Sequence, residues 1–96
     1  VRAEVSRLVV DVERFADDSK ETMSAVGMGA VYLRTHKRST LRHSLSDAER
    51  NALISDWYTP HHTALTSKVD MALARFGKCL VVDCHSFSSV PRSLHE

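Results

Sequence analysis

The run KCLVVDCH, residues 78–85, starts directly after Gly77, the glycine that closes a stripe of helical spacing formed by His62, Leu65, Val69, Leu73 and Phe76. A short β-branched segment entered straight from a helix end predicts an interior strand of a mostly parallel sheet, covered by helices. Upstream segments extend the pattern. Leu8, Val9, Val10 and Val12 predict a largely buried strand over residues 5–12. Residues 17–26 open with acids and close at Gly27, which predicts a loop and a short helix, and residues 30–35 predict a second strand. Ser46 and Glu49 have the spacing of a capping box, so a helix is expected to start there and run toward Trp57. Pro60 suits the first position of another helix. The order strand, helix, strand, helix, helix, strand predicts an α/β fold, in which ligands bind beyond the carboxyl ends of strands. That rule points to Arg14 after the first strand and to His85 with Ser86 after the last.

A chain of 96 residues is one domain or part of one. With 43% hydrophobic and 26% charged residues it has the balance of a soluble globular protein, which argues against a disordered or fibrous class. The formal charge is +1, with acids and bases interleaved, so neither nucleic acid nor an anionic membrane is indicated as a partner. No apolar run approaches the roughly 18 residues of a transmembrane helix, and the opening VRAEVSRLVVDVERF lacks the pattern of an export signal. Cys79 and Cys84 lie on one expected strand, where five residues span roughly 16 Å and opposite parity separates the side chains. They cannot bridge each other there, and reduced thiols in the cytoplasm are the expectation.

The segment VVDCHSFSS carries the densest chemistry. It places an imidazole, a neighbouring hydroxyl and an upstream acid at the end of the expected last strand, with Asp83 and His85 on one face. A neutral imidazole there can bind Zn²⁺ while a nearby carboxylate orients it. From spacing alone, a hydrogen-bonded structural histidine is the simpler reading. Ser86 lacks the G-x-S-x-G surroundings of a serine nucleophile.

Taken together and in order, SRLVVDVERF, GMGAVYLRT, LSDAER, WYTPHHTAL and FGKCLVVDCHSFSS resemble the middle of the N-formylglutamate amidohydrolase family, over nearly the whole chain. The resemblance implies a zinc carboxypeptidase-like fold, three-layer αβα with a mostly parallel or mixed sheet, of which residues 1–96 are a single partial domain. It implies a zinc-dependent hydrolase of a non-peptide amide C–N bond, the family being known for converting N-formyl-L-glutamate to formate and L-glutamate in histidine degradation. Residue by residue, it makes His85 the last of three zinc ligands and Arg14 the anchor of a substrate carboxylate. A guanidinium fork suits that task because it pairs bidentately with carboxylates. Where typical members carry Asn before that arginine, this chain has Glu13, which sets a negative charge beside the presumed anion site. The family's other two zinc ligands are expected before Val1 and its general-base Glu after Glu96, in further parts of the same polypeptide. The catalytic groups are thus expected outside these residues, and the 96-residue chain alone is expected to be inactive.

Three other readings are open. Two helices meeting around Thr59 and Pro60 would suggest a helix-turn-helix, although Asp70 and the apolar stripe leave little positive surface for DNA. A catalytically dead relative that binds a metabolite or a partner is the second. Bland roles are the third: His62 as a buried hydrogen-bonded side chain, His36, His43 and His95 as solvated loop residues, Met23 and Met28 as core filling, and Arg14 as a salt bridge to Asp17 or Asp18.

Overall fold

The computed structural model describes residues 1–86, 89 and 90. Its dominant element starts where the capping box places it. The Ser46 hydroxyl accepts from the Glu49 backbone N–H at 3.1 Å and the Glu49 carboxylate accepts from the Ser46 N–H at 3.2 Å. Helix α1 then spans Asp47–Leu53, passes through a π-helical turn at Ile54–Tyr58, and continues as α2 over Thr59–Phe76. The backbone stays in the right-handed helical region throughout, so the two expected helices are one rod. At 1.5 Å per residue, residues 47–76 span about 45 Å, which accounts for the longest molecular dimension of 46 Å.

The π turn explains how Pro60 is accommodated. In a regular α-helix its ring would press on the carbonyl of Asp56, and its missing N–H would break the ladder. Just before it the Thr59 N–H already reaches back five residues to the Ile54 carbonyl, so the ladder has shifted register where the proline interrupts it. Gly77 ends the rod at φ 72°, in the left-handed region, with its N–H on the Leu73 carbonyl at 2.8 Å. The inward stripe expected along α2 is realised only in part. His62, Leu65 and Val69 are half-buried, whereas Leu73 and Phe76 are 45% and 66% exposed.

The expected sheet is not formed: among the described residues the β-pairing is one isolated antiparallel bridge, Arg34 with Thr40. Residues 5–12 fold instead as a turn, in which the Val9 N–H bonds the Ser6 carbonyl at 2.8 Å, followed by a buried pair, Val10 and Asp11. Residues 30–35 are buried through Tyr32 and then enter a tight reversal in which the Arg38 N–H meets the Thr35 carbonyl. Residues 78–86 are exposed and carry no bridge, with Leu80 at 87% exposure. The physical reason is that β-branched side chains favour a pleated surface flanked by neighbours, and an extended segment without a partnered ladder is marginal in water.

The short helix expected over residues 17–26 is present as two 3₁₀ turns, Asp18–Lys20 and Thr22–Val26. The Asp17 carboxylate caps the first by accepting from the Ser19 N–H, and Gly27, at φ 76°, closes the second. The small core lies between these turns and the 5–12 segment. It consists of Val10, Ala30, Val31 and Tyr32, with Asp11 and Glu21 buried among them.

Candidate functional site

Asp11 organises the segment that carries Glu13 and Arg14. Its side chain is almost fully buried. One carboxylate oxygen, Oδ2, accepts from the Tyr32 hydroxyl at 2.5 Å and from Arg7 Nε and Nη2 at 3.1 and 2.7 Å. The other, Oδ1, accepts from the Glu13 backbone N–H at 3.1 Å, and the Arg14 N–H bonds the Asp11 carbonyl at 3.2 Å. This closes an Asx-type turn over residues 11–14. Burial pushes the Asp11 carboxyl up, but the hydrogen bonds from Tyr32, Arg7 and the Glu13 N–H outweigh it and hold the group below its ordinary value. For the Tyr32 phenol, burial and the bond to Asp11 act in the same direction and raise it.

The helical rod grips the same segment from the other side through carbonyls at alternate positions. His62 Nε2 lies 2.7 Å from the Val12 oxygen, the Tyr58 hydroxyl donates to the Arg14 oxygen at 2.8 Å, and Arg50 Nη2 donates to the Ala16 oxygen at 2.5 Å. A carbonyl only accepts, so His62 carries its proton on Nε2. Tyr58 and His62 stand one turn apart, their rings 4.5 Å centroid to centroid, and they fix the backbone on both sides of Glu13. The structure thus gives His62 a hydrogen-bonding role. A groove runs along α2 past Tyr58, His62, Thr66 and Asp70.

Arg14 is largely enclosed and faces acids. Its Nε is 3.5 Å from Asp11 Oδ2 and its Nη1 3.9 Å from Glu21 Oε1, so its ion pairs are with these and not with Asp17 or Asp18. The Arg14 Nε is buried without a hydrogen-bond partner, which leaves donor capacity in a guanidinium held mainly by charge. Asp18 pairs instead with Arg50, at 3.2 Å.

His85 reaches back to this segment. Its Nδ1 lies 2.9 Å from Glu13 Oε2, with both side chains partly exposed. Glu13, Asp83 and His85 each present one donor atom, and these atoms lie within 4.8 Å of one another. The carboxylate beside the imidazole at hydrogen-bond distance is therefore Glu13, a residue the sequence marked as a departure and not as a partner. Imidazole nitrogen and carboxylate oxygen are donors that zinc takes at about 2.0–2.2 Å, and ligands of a tetrahedral ion stand about 3.3 Å apart. The side chains are exposed, and the donor set is of the kind that zinc takes. Ser86, His36 and His43 are exposed, and His95 lies outside the described residues. Cys79 and Cys84 are free and exposed.

The sequence profile of N-formylglutamate amidohydrolases matches residues 1–96, the whole chain. The chain belongs to that family. As a member of the N-formylglutamate amidohydrolase family it belongs to a hydrolase family, for which a carboxypeptidase-like α/β fold is implied; a helical rod without a sheet among the described residues is consistent with a partial domain of that fold. Comparisons with characterised proteins and with solved structures gave no match. Among the described residues no helix is long and apolar enough to cross a membrane.

Proposed function

We propose that this chain contributes one metal ligand and one substrate anchor to a zinc-dependent amidohydrolase acting on N-formyl-L-glutamate or a related N-acyl amino acid. The observation that carries the reading is the meeting of His85 with Glu13, next to Arg14, in a chain that matches the family along its full length. In this reading zinc supplies a water of lowered pKa and polarises the amide carbonyl. The chain's own residues bind and orient. His85 offers an imidazole nitrogen to the ion, and the Asp83 carboxylate, within 4.8 Å on the same segment, is placed to orient it. Arg14 takes the substrate's carboxylate on the donors that Asp11 and Glu21 leave open, and those acids set its orientation.

Residues supplied by further parts of the same polypeptide complete the ligand set and provide the base, because hydrolytic zinc sites use three protein ligands and a proton acceptor. The exposed apolar side chains of Leu80, Val81 and Val82 support this, since they are the surface that neighbouring strands of an α/β sheet would cover. The partner envisaged is a small-molecule carboxylate, with no nucleic acid. A helix-turn-helix reading has no support in a rod that continues through Thr59 and Pro60. A catalytically dead member of the family that binds a metabolite or a partner is the alternative, and the acids facing Arg14 are the observation in its favour.

The test is hydrolysis of N-formyl-L-glutamate by the polypeptide encoded by the extended reading frame. Zinc-dependent release of formate, with KM raised about 10-fold or more by Arg14→Lys at a folded, zinc-replete site, supports the reading. Zinc-loaded protein that hydrolyses neither N-formyl nor other N-acyl amino acids supports the dead relative.

A further inference from the structure

The geometry points to Tyr58 as a positioning residue for Arg14, brought into line by the π turn that precedes Pro60. The inference rests on the reading of Arg14 as the anchor of a substrate carboxylate. The Arg14 side chain is steered by charge and not by hydrogen bonds: Asp11 and Glu21 stand 3.5 and 3.9 Å from its Nε and Nη1, and the buried Nε has no hydrogen-bond partner. Ion pairs of that length carry little directional preference, so where the guanidinium stands depends on how firmly the backbone of residue 14 is held.

Two bonds hold that backbone. Its N–H meets the Asp11 carbonyl at 3.2 Å inside the local turn, and its carbonyl accepts from the Tyr58 hydroxyl at 2.8 Å. Only the second ties residue 14 itself to the helical rod, and the π turn is what lines it up. Arg50 and Tyr58 are eight positions apart, which at 3.6 residues per turn would set them about 80° apart around a regular α-helix. A π turn takes up one extra residue, so the pair adopts the seven-residue spacing of a single stripe, about 20° apart. His62 follows four positions on, one turn further along the same face. Arg50, Tyr58 and His62 consequently reach the carbonyls of Ala16, Arg14 and Val12 in turn, at 2.5, 2.8 and 2.7 Å. The rod clamps the segment at three points, and Tyr58 supplies the one on the anchor residue.

¹⁵N relaxation on the labelled 96-residue chain reads the mobility of the Arg14 Nε–H, with the Asp11 backbone N–H, bonded to the Ala30 carbonyl at 2.7 Å, as the internal reference. Arg14 is expected to be rigid, with an order parameter of about 0.85, and to fall below about 0.6 in Tyr58→Phe while Asp11 is unchanged. Circular dichroism verifies that the variant is folded. In parallel, the polypeptide encoded by the extended reading frame is assayed on N-formyl-L-glutamate. Tyr58→Phe is expected to raise KM about 2–12-fold, with a smaller change in kcat, and to add little beside Arg14→Lys, because it acts through that guanidinium. An Arg14 order parameter indifferent to Tyr58→Phe, a fall shared equally by Asp11, or a KM rise that persists undiminished beside Arg14→Lys overturns the inference. A loosened Arg14 in a polypeptide that hydrolyses no N-acyl amino acid, or whose KM ignores Arg14→Lys, supports the positioning by Tyr58 and overturns the anchor reading instead.

Discussion

Replacing Asp11 with asparagine preserves its shape while turning one oxygen into an amide, and the surroundings leave no place for that amide. Oδ2 receives the Tyr32 hydroxyl and two Arg7 nitrogens, and Oδ1 receives the Glu13 N–H. Whichever way the asparagine turns, its NH₂ meets a donor. Either way Tyr32 keeps at most a neutral partner in place of a charged one, and a buried hydrogen bond to a charged group is worth about 1.5–3 kcal/mol. Arg7 is half-exposed, so its ion pair adds about 0–1 kcal/mol. Asp11→Asn is therefore expected to destabilise the chain by about 2–3 kcal/mol, and Tyr32→Phe, which deletes the same bond from the other side, by about 2 kcal/mol. The double variant should lose little more than Asp11→Asn alone, since the shared bond is removed only once. Urea unfolding followed by circular dichroism reads these differences, and 2 kcal/mol corresponds to a fall in Tm of about 8–16 °C for a chain of this size. Single-variant losses under about 0.5 kcal/mol, or fully additive losses in the double variant, would refute the reasoning.

Further perturbations address other parts of the structure. The Asp11 carboxyl is depressed in the folded chain, so its stabilisation is fully present above the ordinary aspartate value and is lost as pH falls through the folded value; acid titration of the wild type should show destabilisation setting in below about pH 4, and Asp11→Asn should flatten it. Tyr58→Phe removes the hydroxyl that holds the Arg14 carbonyl and should cost about 0.5–1.5 kcal/mol in the same urea assay. Gly27→Ala places a Cβ 2.8 Å from the Arg34 Cγ at a φ of 76°, so it should cost more than Gly77→Ala, where φ is 72° and the added Cβ meets open space; equal losses would contradict that packing argument. The 96-residue chain by itself should release no formate from N-formyl-L-glutamate in a zinc-supplemented assay.

Local chemistry was legible in the sequence wherever it is settled within a few residues. Ser46 and Glu49 announce the start of the rod, and Gly27 and Gly77 announce the ends of helical segments, because capping involves the neighbouring backbone alone. The strand expectations over residues 5–12, 30–35 and 78–85 rested on β-branched content, which reports a preference for a flanked surface; whether such residues become a strand depends on ladders that sequence content does not supply. The π turn before Pro60 was not legible either, since no residue pattern distinguishes it from two helices meeting there.

The candidate site was read in halves. His85 and Arg14 were singled out by position and by resemblance, and the structure places His85 against the residue that precedes Arg14. The contact of Glu13 with His85 was missed because the two are distant in the chain; the signal was present as an acid in an unusual place, and it was read as a disturbance of the anion site. The acids that flank Arg14 were also unforeseen. Asp11 and Glu21 were given no role in the site, yet both are buried and lie within 3.5 and 3.9 Å of the guanidinium nitrogens.

The most direct test of the account is the zinc content and formate release of the polypeptide encoded by the extended reading frame, purified with and without His85→Ala. The account predicts about one zinc per wild-type chain, with the metal and the activity lost together in the variant. Full zinc occupancy and undiminished hydrolysis in folded His85→Ala protein would contradict it.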